Sequence, residues 1–169
     1  SVTVVATANP GYAFVNWTEG GTPVSSSASY SFTASANRTL MANFARTYTI
    51  ATSALPSAGG STSGGGVYNG GSNVTVVATA NAGYAFVNWT EGVTVVSSSA
   101  SYSFTASANR TLVANFVQTF TIATSASPGA GGSTSGGGVF NSGSNVTVVA
   151  TANAGYAFVN WTEGITPVS

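Results

Sequence analysis

The chain has 169 residues and a mass of 16.7 kDa, enough for one ordinary domain or a few very small ones. Three arginines balance three glutamates, and only 4% of residues are charged, where a typical soluble domain carries about 25%. There is no His, Cys, Lys or Asp. This excludes disulfides, thiolate and imidazole chemistry, Schiff-base lysines and His- or Cys-ligated zinc. It also argues against nucleic-acid binding, which needs clustered Lys and Arg to neutralise phosphates.

Ser, Thr, Gly, Ala and Asn dominate, but 43% of residues are hydrophobic and 11% aromatic, so the chain can bury a core rather than remain disordered. No apolar run approaches the roughly 18–20 residues that cross a bilayer, and no membrane insertion is expected. The chain opens at Ser1 in an alternating strand pattern rather than a signal peptide. A mature product, or a window from something longer, is the expectation.

The organising feature is a repeat. Trp17, Trp89 and Trp161 lie 72 residues apart, and residues 1–72 align on 73–144 without a gap. Twelve positions differ: 1, 10, 21, 23, 41, 45, 46, 48, 55, 57, 68 and 70. The pattern restarts at Asn145 and runs to Ser169. A fixed period of this kind sets the folding unit. Arg46 and Gln118 open TYTIATS and TFTIATS, directly after RTLMANF and RTLVANF, and unit boundaries are placed there. On that reading 46–117 is a complete repeat, 1–45 lacks its first strand, and 118–169 lacks its last two. The expectation is a piece of a long tandem array, or subunits that complete one another.

Along the complete repeat, Tyr48, Ile50 and Thr52 alternate with Thr47, Thr49 and Ala51. NVTVVATA (73–80) sets Val74, Val76 and Ala78 on one face, and Thr75, Val77 and Thr79 on the other. YAFVNW (84–89), SYSFTA (101–106) and RTLVANF (110–116) follow the same two-residue period, in residue types that favour strands. Gly, Asn, Ser and Pro clusters separate them. An all-β fold of about five or six short strands per repeat is predicted, with no substantial helix.

GGSTSGGG at 59–66 and 131–138 is read as a flexible hairpin or bulge. A phosphate-cradling loop would need a following helix and usually a Lys, and neither is present. NPGY (9–12), with NAGY at 81–84 and 153–156, is read as a tight turn with Gly in a left-handed conformation.

GYAFVNW at 11–17, 83–89 and 155–161 follows a V-T-V-x-A-T-A strand. RTLxANF closes the pattern at 38–44 and 110–116, and GGSTSGGGxxNxGS precedes it. In this fixed order the motifs resemble the divergent internalin-type B repeats of bacterial surface proteins, over essentially the whole chain. The resemblance implies tandem β-grasp-like or β-sandwich-like modules on secreted or surface-anchored bacterial proteins. It also implies that the aromatic and Trp of GY-x-F-x-x-W, here Phe86 and Trp89, are core positions. Near-absence of charge departs from many members of that family.

Exposed aromatics could stack on sugars, but a repeat of about 70 residues can ill spare its largest side chains from the core. The expected core is Phe14, Trp17, Phe32, Leu40, Phe44, Ile50, Val74, Val76, Phe86, Trp89, Phe104, Leu112, Phe116, Ile122, Phe158 and Trp161. Tyr84 and Tyr102 are left open between solvent and a neighbouring chain.

Glu19 precedes Arg38 by the same interval as Glu91 precedes Arg110, which predicts a recurrent ion pair on adjoining strands or between repeats. An exposed pair of this kind contributes little stability. Catalysis is not expected: there is one Glu per repeat, and Ser and Thr have no base to activate them. Isopeptide bonds need Lys, and dense calcium sites need several carboxylates, so no metal or cofactor is expected.

These observations favour a structural extracellular protein: a stalk, fibre or filament built from near-identical β repeats whose main partner is another copy of itself. Low charge permits lateral packing, and strand edges permit pairing between chains. Strands carrying Tyr30, Phe32, Leu40 and Phe44 are the candidates for completing the repeat at 118–169 of a neighbouring subunit. The second hypothesis is a multivalent adhesin that binds carbohydrate or a cell-surface protein, for which a glycan is the candidate ligand.

Overall fold

The structure, a computed structural model, describes residues 1–169. The fold is all-β. The first repeat carries β1 (Val2–Val5), β2 (Tyr12–Glu19), β3 (Thr22–Ser25), β4 (Ser29–Phe32) and the first part of β5 (Leu40–Leu55). The second adds β6 (Gly60–Ser63), β7 (Gly66–Asn69), β8 (Asn73–Ala80), β9 (Tyr84–Glu91), β10 (Thr94–Ser97), β11 (Ser101–Thr105) and β12 (Arg110–Ile122). The third contains β13 (Gly132–Ser135), β14 (Gly138–Asn141), β15 (Val149–Ala152), β16 (Thr162–Glu163) and β17 (Thr166–Pro167). Single 3-10 turns at Ser57–Gly59 and Gly129–Gly131 are the only helical geometry, each following a cis X-Pro bond.

Contacts divide the chain into two compact units. One is Ser1–Ala80 with Phe86–Phe116, and the other is Asn81–Ala85 with Val117–Ser169.

In the first unit the main sheet runs β10-β9-β12-β5-β2-β3. Its organising strand is β5, sixteen residues long. The first part of β5 pairs antiparallel with β2, from Glu19↔Leu40 to Tyr12↔Arg46. Its second part pairs antiparallel with β7 on one edge, Thr47↔Asn69 to Ile50↔Gly66, and parallel with β12 on the other, Ile50↔Arg110 to Leu55↔Asn115. The strand therefore passes straight through the boundary placed between 45 and 46. Facing this sheet is a second one, ordered β11-β8-β6. β8 shows the predicted alternation directly: Val74, Val76 and Ala78 are buried, while Asn73, Thr75, Val77 and Thr79 face out. β1 and β4 make the corresponding pair in the first repeat, Val2↔Phe32 to Val5↔Ser29.

The second unit is sparser. The end of β12 pairs with β14, Thr119↔Asn141 to Ile122↔Gly138, β13 with β15, and β16 with β17. None of the fully buried hydrophobic residues lies in it. Residues 157–161, whose counterparts form β9, adopt no strand.

The glycine-rich segment differs from the expectation. Residues 60–63 and 66–69 are strands, with only Gly64 and Gly65 between them, so the repeat has more strands than the sequence pattern predicts. The reason is close approach rather than flexibility. A Cβ on Gly60 would come within 2.5 Å of Phe116 Cζ, so the backbone of β6 lies directly on that ring. The Asn-x-Gly-Tyr turns form as predicted. Gly11, Gly83 and Gly155 have φ near +80°, and Tyr12, Tyr84 and Tyr156 each donate their backbone N–H to the carbonyl of the Asn three residues earlier.

Candidate functional site

The molecule presents no convergent polar pocket; its candidate functional surfaces are the repeat core and the faces that complete it. In the central repeat Trp89, Leu112, Ile50, Val74, Val76 and Ala114 are at most 1% exposed, and Phe116 is 6% exposed. Trp89 Nε1 donates to the Ala100 carbonyl at 3.1 Å, so the indole is buried without an orphan donor. Phe86 meets Phe116 edge to face at 5.9 Å, and tilts against Trp89 at 6.2 Å.

The first repeat reproduces these contacts. Trp17 Nε1 donates to the Ala28 carbonyl at 3.2 Å, and Phe14 meets Phe44 at the same 5.9 Å. Its cover is different. Trp17 is buried, but Phe14 and Leu40 are half-buried and Phe44 is 39% exposed. In the third repeat Trp161 is half-buried, while Phe158 is 51% and Ile122 36% exposed.

Phe44, Ile122 and Phe158 are therefore corrections to the expected core. The counterparts of Phe44 and Ile122 are enclosed by segments from the other part of the repeat: β6 lies on Phe116, and β12 flanks Ile50. Within residues 1–169, no such segment lies against Phe44 or Ile122. Phe86 is also half-buried, and Phe32 and Phe104 are half-buried for another reason, since each ring is covered by a guanidinium.

Those guanidinium groups form the recurrent ion pairs, which lie within each repeat. Arg38 Nη2 and Nε donate to Glu19 Oε2 at 2.7 and 3.0 Å, and Nη1 donates to Tyr30 Oη at 3.2 Å. Arg110 repeats this with Glu91 at 2.9 and 3.0 Å and with Tyr102 at 3.1 Å. The guanidinium carbon stands 4.5 Å from the Phe32 ring centre in one case and 4.4 Å from Phe104 in the other.

The hydrogen bond from Arg38 holds the Glu19 carboxyl below its ordinary range, against the opposing effect of desolvation. Hydrogen bonds to Glu19 and Tyr30 hold Arg38 above its own. Burial works to lower Arg110, and the bonds to Glu91 and Tyr102 outweigh it, leaving a net upward shift. A carboxylate held low in this way, as Glu19 is, makes a poor general base. No cluster of metal-ligating side chains exists, and no helix is long and apolar enough to cross a membrane.

One polar arrangement escaped the sequence reading. Asn43 Nδ2 donates to Asn16 Oδ1 at 2.9 Å and Thr18 Oγ1 at 3.0 Å, across the register shift between β2 and β5. Asn115 does the same with Asn88 at 2.8 Å and Thr90 at 3.1 Å. The available signal was an Asn inside each of two strands, VNW and ANF, where Asn is disfavoured unless its amide has a task.

The candidate assembly strands are occupied at one edge each. Tyr30 and Phe32 sit on β4, paired with β1, while Leu40 and Phe44 sit on β5, paired with β2. Recesses on the surface include one of about 210 Å³ beside Thr7, Asn9, Tyr12 and Phe44, and one of about 330 Å³ whose lining mixes Phe158, Trp161 and Tyr156 with Ser133, Thr134 and Asn160.

The family model of the divergent InlB B-repeat domain matches residues 1–47, 48–120 and 122–169, and the chain belongs to this family. It is a family of repeats typical of bacterial surface and extracellular proteins, not one of enzymes. Neither the curated proteins nor the solved structures provide a match to the chain.

Proposed function

For a chain built of divergent InlB B-repeats, we propose a structural role at the bacterial surface: a stiff stalk or filament in which each repeat is the same mechanical element. The observation that carries this reading is β5. One unbroken strand closes the sheet of the first repeat and opens that of the second, so the junction at residue 46 contains no linker. A flexible string of binding domains would instead be joined by polar, unpaired segments. Near-zero charge fits the same role, because neighbouring stalks repel each other little. The three repeat segments, placed by the sequence at 1–45, 46–117 and 118–169, are its units, and no step of chemistry is assigned to any of them.

Electron cryo-microscopy of native surface material tests the reading. Straight rods or fibres with an axial repeat commensurate with one or two units support it; freely jointed beads would overturn it. An adhesin reading has one observation in its favour. The β9–β10 turn exposes Val93 completely, Ile165 is equally exposed, and the first repeat has Gly21 at this position. Binding to a glycan array, lost on Val93→Gly with Ile165→Gly, would move the assignment there.

A further inference from the structure

The main sheet of the first unit ends in two strands that are equivalent by the repeat, β3 at one edge and β10 at the other. Each is the return strand of a hairpin with a two-residue turn, closed by Glu19↔Thr22 in the first and by Glu91↔Thr94 in the second. Residues that flank such a turn exchange hydrogen bonds with each other. In the next pair, Thr18↔Pro23 or Thr90↔Val95, the backbone groups of the return strand therefore point away from the hairpin, toward the open edge.

The residue at that position decides what the edge offers. Proline has no N–H, and it is one of the devices by which natural sheets blunt an exposed edge. Pro23 stands there on β3, and Pro167 stands at the matching place on β17, opposite Thr162. The central repeat has Val95 instead. Its edge presents a donor and an acceptor where the other two present an acceptor only. Val95 is also 57% exposed, and Val93, in the turn just before it, is wholly so. No charged residue lies between Glu91 and Arg110, and those two are paired with each other. Proline and edge charge, two of the common guards, are thus both missing from β10. The guard that remains is the bulge between Val95 and Ser97, which keeps the usable edge short.

We propose that β10 pairs antiparallel with β10 of a second copy, across a two-fold axis through Val95. Each Val95 donates its N–H to the carbonyl of the other, and the two side chains lie next to each other on one face. The edge is its own complement: a donor, an acceptor and an apolar side chain meet the same three groups. A second copy supplies all three by symmetry, whereas a strand of unrelated sequence would match them only by chance. Zero net charge removes the repulsion that would keep copies apart. The interface is isologous, so it closes at two copies, and Pro23 blocks the opposite edge of the sheet. This lateral pairing goes beyond the stalk reading and does not rest on it, since the edge is the same on a stiff rod and on a flexible string.

Sedimentation equilibrium of the 169-residue chain tests the pairing. Expected is a reversible rise in molar mass from 16.7 kDa toward the dimer. The contact is small, so the dimer should become populated only toward about 1 mM. Amide resonances that shift with concentration should cluster at 93–97. Val95→Pro, which installs the residue found at this place in the other repeats, should abolish the dimer. Val95→Lys keeps the backbone donor but sets two cations opposite each other, and should weaken association about fivefold or more. A mass of 16.7 kDa at every concentration overturns the proposal and leaves the edge to a strand of another protein. Oligomers that survive Val95→Pro overturn it as well, because they use a different surface. If Val95→Pro unfolds the repeat, seen in the fluorescence of the buried Trp89, then Val95→Lys decides, and unchanged association is the overturning result. The stiffness of the stalk is read separately by microscopy, so either reading can fail without the other.

Discussion

Residues 11–17 and 83–89 are the same seven amino acids, yet the two copies live in different surroundings. The hydrogen bond of the indole, the edge-to-face aromatic pair and the Arg–Glu clamp recur in both repeats to within a few tenths of an ångström. Burial does not recur: Phe116 is enclosed and Phe44 is not. Local geometry here is set by strand pairing within 73–117 or 1–45 alone. Enclosure is set by residues 46–72, whose Gly60 lies on Phe116 and whose part of β5 runs beside β12.

The largest expected difference is at the tryptophans. Trp89→Ala should destabilise the central repeat by about 3–5 kcal/mol, because the cavity it leaves is sealed on all sides. Trp17→Ala, beside an open face, should cost about 3 kcal/mol at most. Urea unfolding followed by the remaining tryptophans would resolve the two, and equal losses would mean that the first repeat is as enclosed as the second.

Gly60→Val comes next. Its side chain would collide with Phe116 and the Thr79 carbonyl, at a cost of about 1–3 kcal/mol or more, measurable by thermal melting. The same change should leave the contacts of Phe44 untouched, which ring-current shifts in NMR spectra can check.

Asn115→Ala should cost about 1–2 kcal/mol, since it strips the Asn88 carbonyl oxygen and Thr90 of a shared donor in a half-buried site. Asn43→Ala should cost about as much, since Asn16, Thr18 and Asn43 are half-buried as well. Clearly unequal values would place the two bulges in different solvent environments.

The smallest effect concerns acid. Because the Glu19 carboxyl is held low in the folded state, its contribution is present above the unfolded carboxylate range and is lost as pH falls through the folded value. A shallow acid destabilisation of the first repeat is expected, and Glu19→Gln should flatten it. A stability profile that rose toward acid would contradict the sign.

The strands were legible in the sequence because one face of each is buried: VTVVATA can place Val74, Val76 and Ala78 inward in only one register. The ion pairs were legible because their spacing recurs. The glycine-rich strands were not, since their sequence carries little alternation of apolar and polar residues; what fixes them is long-range, the contact of Gly60 with Phe116 for β6 and the pairing with β5 for β7. Nor could periodicity separate Phe44 from Phe116 or Ile122 from Ile50. Those pairs have the same or nearly the same neighbours in sequence, and differ only in which distant segment lies on top.

The parallel pairing of β5 and β12 carries a mechanical consequence. The chain enters the central repeat along β5 and leaves it along β12, running the same way in both, and the two lie side by side from Ile50↔Arg110 to Leu55↔Asn115. Tension applied through the backbone would therefore slide one strand along its neighbour, straining all of their cross-links at once. A hairpin pulled from its open end yields them one after another. Pulled along this axis, the central repeat is loaded in shear across the β5–β12 pairing.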